Sequence, residues 1–298
     1  MRILFLGTGP TEAIPREGHT DALCRDARAG GKSRRRRSCA LVTSGRTTIL
    51  IDSGPDIFEQ LSKHKPKRID AVLLTHGHED AGGGLRDLDD WLTQEHGMRD
   101  AIPVFTDHLT AERLTTRFGK FKNLYFSKLK DYTAIVIPAK AGIQKDKQNR
   151  MDPRVSSNSP EDDRTMRSGI KIVPFPVLHT HDVRYKTYGY KFDSFCYASD
   201  FYELPKRTKN LLKDLDTVIL DGAMYLGVKM PTHMSADTTV RLANELKARR
   251  LILTQSGHTY PPHDQAEKAI IQYARAQASD FPKTVILSYD GLKVKFPL

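Results

Sequence analysis

Cysteine is scarce in this chain: Cys24, Cys39 and Cys196 are the only three among 298 residues, at unrelated spacings. That excludes a disulfide framework and fits a reducing compartment, so a cytoplasmic protein is expected. No run of about 18 apolar residues occurs, which excludes a membrane-spanning helix. The apolar opening Met1-Arg2-Ile3-Leu4-Phe5-Leu6 is too short for a signal peptide and ends at Gly7-Thr8-Gly9-Pro10 like a first strand. Acid is in deficit: 36 Asp and Glu face 47 Lys and Arg, a formal charge of +11 that draws in polyanions or phosphorylated substrates. Much of the excess sits in Lys32-Ser33-Arg34-Arg35-Arg36-Arg37. No aromatic residue interleaves with those arginines, so the stacking half of a single-strand nucleic-acid site is missing there. The run reads as a solvated basic loop ahead of a strand, with a phosphate-facing arm as the alternative.

What is present points to a metal. The apolar run Ala71-Val72-Leu73-Leu74 leads straight into Thr75-His76-Gly77-His78-Glu79-Asp80, followed by Ala81-Gly82-Gly83-Gly84. Two imidazoles and a carboxylate within five residues are ligands suited to a borderline cation such as zinc or manganese. At a strand's end His76 and His78 can point the same way, while Gly77 lets the backbone fold close to the ion.

Short β-branched runs alternate with helical stretches along the chain. Strands are expected at Ile3–Leu6, Ala40–Thr43, Thr48–Ile51, Ala71–Leu74, Val104–Thr106, Ala134–Ile137, Ile170–Pro174, Tyr188–Phe192, Cys196–Ala198, Thr217–Leu220, Leu251–Leu253 and Thr284–Leu287. Tyr289-Asp290-Gly291 then reads as a hairpin turn into Leu292–Phe296. Helices are expected to begin near Pro55, Leu85, Thr110, Pro205, Ser235 and Asp264, with Ser235 an N-cap. The pattern predicts one α/β (α+β) domain over residues 1–298, two mixed sheets with helices on their outer faces. Residues 138–168, rich in charge, Ser and Pro and poor in apolar periodicity, read as a disordered insertion within it, and their wording resembles translated dispersed repeats.

Further ligands are expected at later strand ends. His179 follows Val173-Pro174-Phe175-Pro176-Val177-Leu178, and Asp200 follows Tyr197-Ala198-Ser199. With His76 and His78 they make a three-nitrogen, one-oxygen set that leaves positions open for water and substrate. Asp80 could then accept a proton from that water or hold it in line.

Gly7-Thr8-Gly9, Asp52-Ser53-Gly54, the His76–Asp80 turn, His179, Ser199-Asp200, Thr232-His233 and Leu253-Thr254 together resemble the metallo-β-lactamase superfamily. Within it the chain is most similar to the phosphodiesterase family that opens phosphoribosyl cyclic phosphate, with the transfer-RNA 3′-processing nucleases as more distant relatives. The resemblance implies a four-layer αββα sandwich with metals at one edge. It places His233 as the general acid that protonates the leaving oxygen; the plainer reading of His233 is an exposed histidine at the helix cap. Two departures agree with each other: Ala81 and Gln255 stand where the family carries histidines of a second ion. One tightly held ion at His76, His78, His179 and Asp200 is therefore expected, any second ion resting on Asp80 and Asp200 alone. By the same resemblance His19, Asp21, Cys24 and His258 occupy a structural zinc knuckle, or its decayed remnant.

The expected activity is metal-dependent hydrolysis of a phosphodiester, a small cyclic phosphate or nucleotide-like substrate, by a metal-activated water. Alternatives are an RNA-processing nuclease using the arginine run, or a non-hydrolytic metal- or ligand-binding member of a cofactor pathway. No membrane partner is expected, and a homodimer is left open.

Overall fold

The computed structural model describes residues 1–96, 100–138, 169–180, 184–277 and 282–296. Its strands form two seven-stranded sheets. The first runs, edge to edge, β14 (Lys293–Lys295), β1 (Arg2–Gly7), β2 (Cys39–Ser44), β3 (Thr47–Ile51), β4 (Ala71–Leu73), β5 (Ile102–Thr106), β6 (Leu124–Lys128). The second runs β13 (Thr284–Leu287), β12 (Arg250–Thr254), β11 (Thr217–Asp221), β10 (Phe195–Ala198), β9 (Thr187–Lys191), β8 (Ile170–Val177), β7 (Ile135–Ile137). In each sheet four adjacent strands are mutually parallel, β3 to β6 and β10 to β13. Their carboxyl ends therefore share an edge.

Strand periodicity builds the layers. In β3 the fully buried Ile49 and Ile51 join Ile3, Phe5, Tyr190 and Ile219 between the sheets, while Leu50 faces the other way. Leu50 meets helices α2 (Ile57–His64) and α4 (Leu85–His96) through Ile57, Leu61, Leu88 and Trp91. On the far side of the second sheet, Leu220 and Leu253 pack against Val240 of α7 (Ala236–Glu245) and Ile270 of α8 (His263–Ala276). Burying each such side chain contributes about 1.5–3 kcal/mol. The result is the expected four-layer αββα sandwich. No helix among the described residues is long and apolar enough to cross a membrane.

Helix α1 (Ala22–Arg28) and strand β6 were not anticipated. The first is only seven residues long, and the second is an edge strand without alternating β-branched residues. Helices α3 (Glu79–Gly82), α5 (His108–Phe118) and α6 (Lys206–Leu212) complete the elements among the described residues.

Two expectations are corrected. Tyr289-Asp290-Gly291 is no hairpin turn, because β13 closes the edge of one sheet and β14 that of the other. The turn is pinned to the first sheet: Asp290 accepts from Thr8 Oγ1 (2.9 Å) and Arg36 N (2.7 Å), and Gly291 N donates to Phe5 O (2.8 Å). Val294 can then sit opposite Ile3 and enter the inter-sheet layer.

The arginine run is neither a solvated loop nor a free arm. Arg35 is 2% exposed; its Nη1 donates to Thr8 Oγ1 (2.8 Å) and to the Ser288 carbonyl, and its Nη2 meets His263 Nδ1 at 3.0 Å. Arg36 pairs with Glu59, and Arg37 with Asp56 at 3.0 Å. A buried guanidinium needs such partners, and the chain supplies them from four distant segments. Within the expected insertion, residues 139–168 lie outside the described part of the structure.

Candidate metal centre

Strand ends from both sheets deliver the side chains singled out in the sequence to one edge. His76 and His78 follow β4, His179 follows β8, Asp200 follows β10, and the chain reaches Asp80 at the start of α3. The ring centroids of His76 and His78 are 4.7 Å apart, those of His76 and His179 5.2 Å, and those of His78 and His179 5.5 Å. Candidate ligand atoms of His76, His78 and His179 lie within 4.8 Å of one another, and so do those of His76, Asp80 and Asp200 and of His179, Asp200 and His233. Gly54 makes this closeness possible: a Cβ there would collide with the carbonyl oxygen of Asp80.

Hydrogen bonds fix which imidazole nitrogen faces inward. Thr75 Oγ1 donates to the Asp52 carboxylate (2.9 Å) and so receives the proton of His76 Nδ1 (2.9 Å). His76 Nε2 is left with a bare lone pair, buried and unpartnered, 3.6 Å from the equally unpartnered Asp80 Oδ1. His179 Nδ1 donates to the Thr232 carbonyl at 3.1 Å, which likewise turns Nε2 to the site. Such outer partners orient metal-binding histidines and set their tautomer. Two orphaned buried acceptors facing each other fit positive charge placed at this edge, because leaving them bare costs about 1–3 kcal/mol each.

The electrostatics agree. Burial pushes the His76 imidazolium down to about 4, against the pull of Asp200 and Asp80, so the ring is neutral and ligand-competent at neutral pH. His78 is lowered by burial and by His179. Asp200 is penalised by burial, but His76, His179 and His233 outweigh that and hold its carboxyl below the usual range.

Gln255 and Ala81 take up other work. Gln255 Nε2 donates to Asp200 Oδ1 at 2.6 Å, and Ser38 Oγ donates to Gln255 Oε1. An amide N–H thus occupies one oxygen of the Asp200 carboxylate. Ala81 is 2% exposed and offers its carbonyl to Ser53 N (2.7 Å).

His233 is no simple cap. Its Nδ1 lies 2.7 Å from Oδ2 of the fully buried Asp221, and its ring is 5.0 Å from that of His179. Burial lowers the His233 imidazolium, yet Asp221, with Asp200 and Asp80, overcomes it and raises the group to about 9. Sequence reasoning missed Asp221, although it ends β11 after Val218-Ile219-Leu220, while Asp200 follows β10 two residues on. It also missed Thr11, whose Oγ1 donates to Asp80 Oδ2 at 2.8 Å.

Beyond the carboxyl end of β12, ligand atoms of His19, Cys24 and His258 come within 4.8 Å of one another, Cys24 Sγ lying 4.0 Å from His258 Nδ1. Asp21 is drawn off: its Oδ1 accepts from Cys24 N (2.9 Å) as the N-cap of α1, and its Oδ2 is 3.7 Å from His19 Nδ1. Burial raises the Cys24 thiol.

Known proteins resemble this chain in sequence or in fold. An octanoyltransferase of Porphyromonas gingivalis is 21% identical over 293 residues, covering 98% of this chain and 51% of that protein, so the chain spans about half the length of the curated relative it matches. A diphosphatase from the PhnP family, known as a crystal structure, is 26% identical with a TM-score of 0.77, covering 100% of this chain and 98% of the other. Zn(2+)-bound PqqB from Methylobacterium extorquens shares the fold at 16% identity and a TM-score of 0.69, covering 99% and 100%. The family model for the beta-lactamase superfamily domain matches residues 47–254, a span that carries every strand end described at this edge. The chain belongs to the metallo-β-lactamase superfamily.

Proposed function

We propose that this protein is a metal-dependent phosphodiesterase acting on a small cyclic phosphate or nucleotide-like ester. The observation that supports this most directly is the facing pair of orphaned buried atoms, His76 Nε2 and Asp80 Oδ1, beside His78, His179 and Asp200. His76, His78, His179 and Asp200 would hold a zinc or manganese ion, which would supply Lewis acidity for activating water and offsetting charge on the phosphoryl oxygens. One ion per site is the reading favoured by the Gln255 amide on Asp200.

The chain's own groups do the rest. Asp80, with one oxygen fixed by Thr11, orients the attacking water and takes its proton. His233, with Nδ1 committed to Asp221, has Nε2 to present to the leaving oxygen, and its raised pKa keeps the proton there at neutral pH.

Hydrolysis of bis(p-nitrophenyl) phosphate with added manganese tests the proposal. His76→Ala and His78→Ala should abolish it, and undiminished turnover in those variants would end the idea. A diphosphate substrate is the second reading, favoured by the 26% identical diphosphatase, and relative rates on a cyclic phosphate and a nucleoside diphosphate separate the two. The RNA reading loses its arm, since Arg35, Arg36 and Arg37 are engaged within the fold.

A further inference from the structure

The parallel strands that carry the metal edge have their amino ends on the opposite side of the molecule, and a second concavity opens there. It has a volume of about 690 Å³ and lies on the outer face of the first sheet beside β14, β1 and β2, with His64 at the end of α2 the only helix residue in its lining. Strand parity explains its character. Ile3 and Val294 turn inward to the inter-sheet layer, so the alternate positions Arg2, Leu4, Lys293 and Lys295 face out. The wall opposite is the loop from His64 to Arg68.

The floor is apolar, with Leu4 and Leu41 from the sheet and Pro66 from the wall. The rim is cationic: Arg2, Arg46, Lys65, Lys67, Lys293 and Lys295 are all exposed, and none forms an ion pair with a described residue. The nearby carboxylate of Asp70 is taken by Arg68 (2.8 Å) and by Thr48 N (2.9 Å). Elsewhere the chain pairs its arginines, as Arg36 and Arg37 are paired. Six unpaired cations around an apolar floor therefore form a surface built for something negative.

We propose that this groove docks an acidic amphipathic helix from a partner protein, its apolar stripe on Leu4, Leu41 and Pro66 and its carboxylates on the rim. Other occupants fit less well. A nucleic acid would need aromatic platforms for its bases, and no Phe, Tyr or Trp lines the groove. A compact phosphate is best held by a helix N-terminus or converging backbone N–H groups, whereas α2 presents its carboxyl end, with Lys65 as C-cap. A second copy of the chain would set cation against cation across a two-fold axis. A bilayer requires protruding apolar groups, and here the apolar groups are recessed.

The test is fluorescence anisotropy with a labelled synthetic helix carrying Leu at i, i+3, i+4 and i+7 and Glu at the remaining exposed positions. The protein should bind it with micromolar affinity at low salt. Lys293→Glu combined with Lys295→Glu, and separately Lys65→Glu with Lys67→Glu, should each weaken binding about tenfold or more. Reversal at Lys206 and Lys213, on another face, should leave it unchanged, as should both groove pairs leave metal-dependent phosphodiester hydrolysis. A scrambled peptide of the same charge without the stripe should bind about tenfold more weakly. Equal binding by the scrambled peptide, equal loss in the Lys206 and Lys213 variant, or tighter groove-dependent binding of oligouridylate or pyrophosphate would each overturn the proposal. Unchanged circular dichroism in every variant shows that folding is not the cause.

Discussion

At His233 two opposing influences meet, and their balance sets the pH range in which the side chain can donate a proton. Burial favours the neutral ring, the buried Asp221 carboxylate favours the charged one, and the carboxylates win. Asp221→Asn removes the largest raising influence and leaves burial opposed only by Asp200 and Asp80, so the alkaline limb of kcat/KM should move to lower pH while the acid limb stays. A pH–rate profile reads this directly, and an unmoved limb would remove His233 from the acid role. Gln255 poses a second question at the same scale. It adopts a left-handed backbone (φ 65°) at the end of β12, and its amide caps Asp200. Restoring both imidazoles in Ala81→His with Gln255→His should raise bound manganese from about one to about two per chain. Elemental analysis after gel filtration decides, and an unchanged content would mean that the surroundings of Asp200, not the two missing rings, limit the site.

Strands and helices follow local periodicity closely, and their errors are instructive. The stretch Ala71-Val72-Leu73 is a strand because both its faces are covered, and the turn after it holds His76 and His78 where the spacing suggested. By contrast, Leu292–Phe296 looks like the second arm of a hairpin because a turn signature says only that the chain reverses, not which sheet receives it. The arginine run fails in the same manner: charge predicts solvent, yet Arg35 ties β1, the start of α8 and the turn after β13 together. Arg35→Ala should strand Thr8, the Ser288 carbonyl and His263 and cost about 3 kcal/mol or more. A lower urea midpoint with an unchanged slope is the expected signature. A neutral effect would show that water replaces the guanidinium without penalty.

Across the whole molecule the candidate ligands come from both sheets, His76 and His78 from the first and His179 and Asp200 from the second. A cation there clamps the two halves of the sandwich and should stabilise the native state. At about a thousandfold excess over its dissociation constant, the gain is about 4 kcal/mol. Calorimetry should show a higher Tm with zinc or manganese, reversal by a chelator, and no response in His78→Ala. A chelator-insensitive Tm in the wild type would argue that the cluster holds no ion.

The order of amino acids alone determined the layered fold class, nearly all the strands, and the candidate ligands His76, His78, His179 and Asp200. Each of these is written in short-range signals: a period of two, a strand ending in a donor, a glycine where the backbone must pass closely. Only the tertiary structure decided that Asp221 backs His233, that Gln255 caps Asp200, that Arg35 is interior, and that an unpaired basic groove opens at the far end of the sheet. Those depend on side chains that are 12 to more than 250 positions apart in the chain, and nothing local distinguishes a charge that will be paired across the fold from one that will be left to solvent.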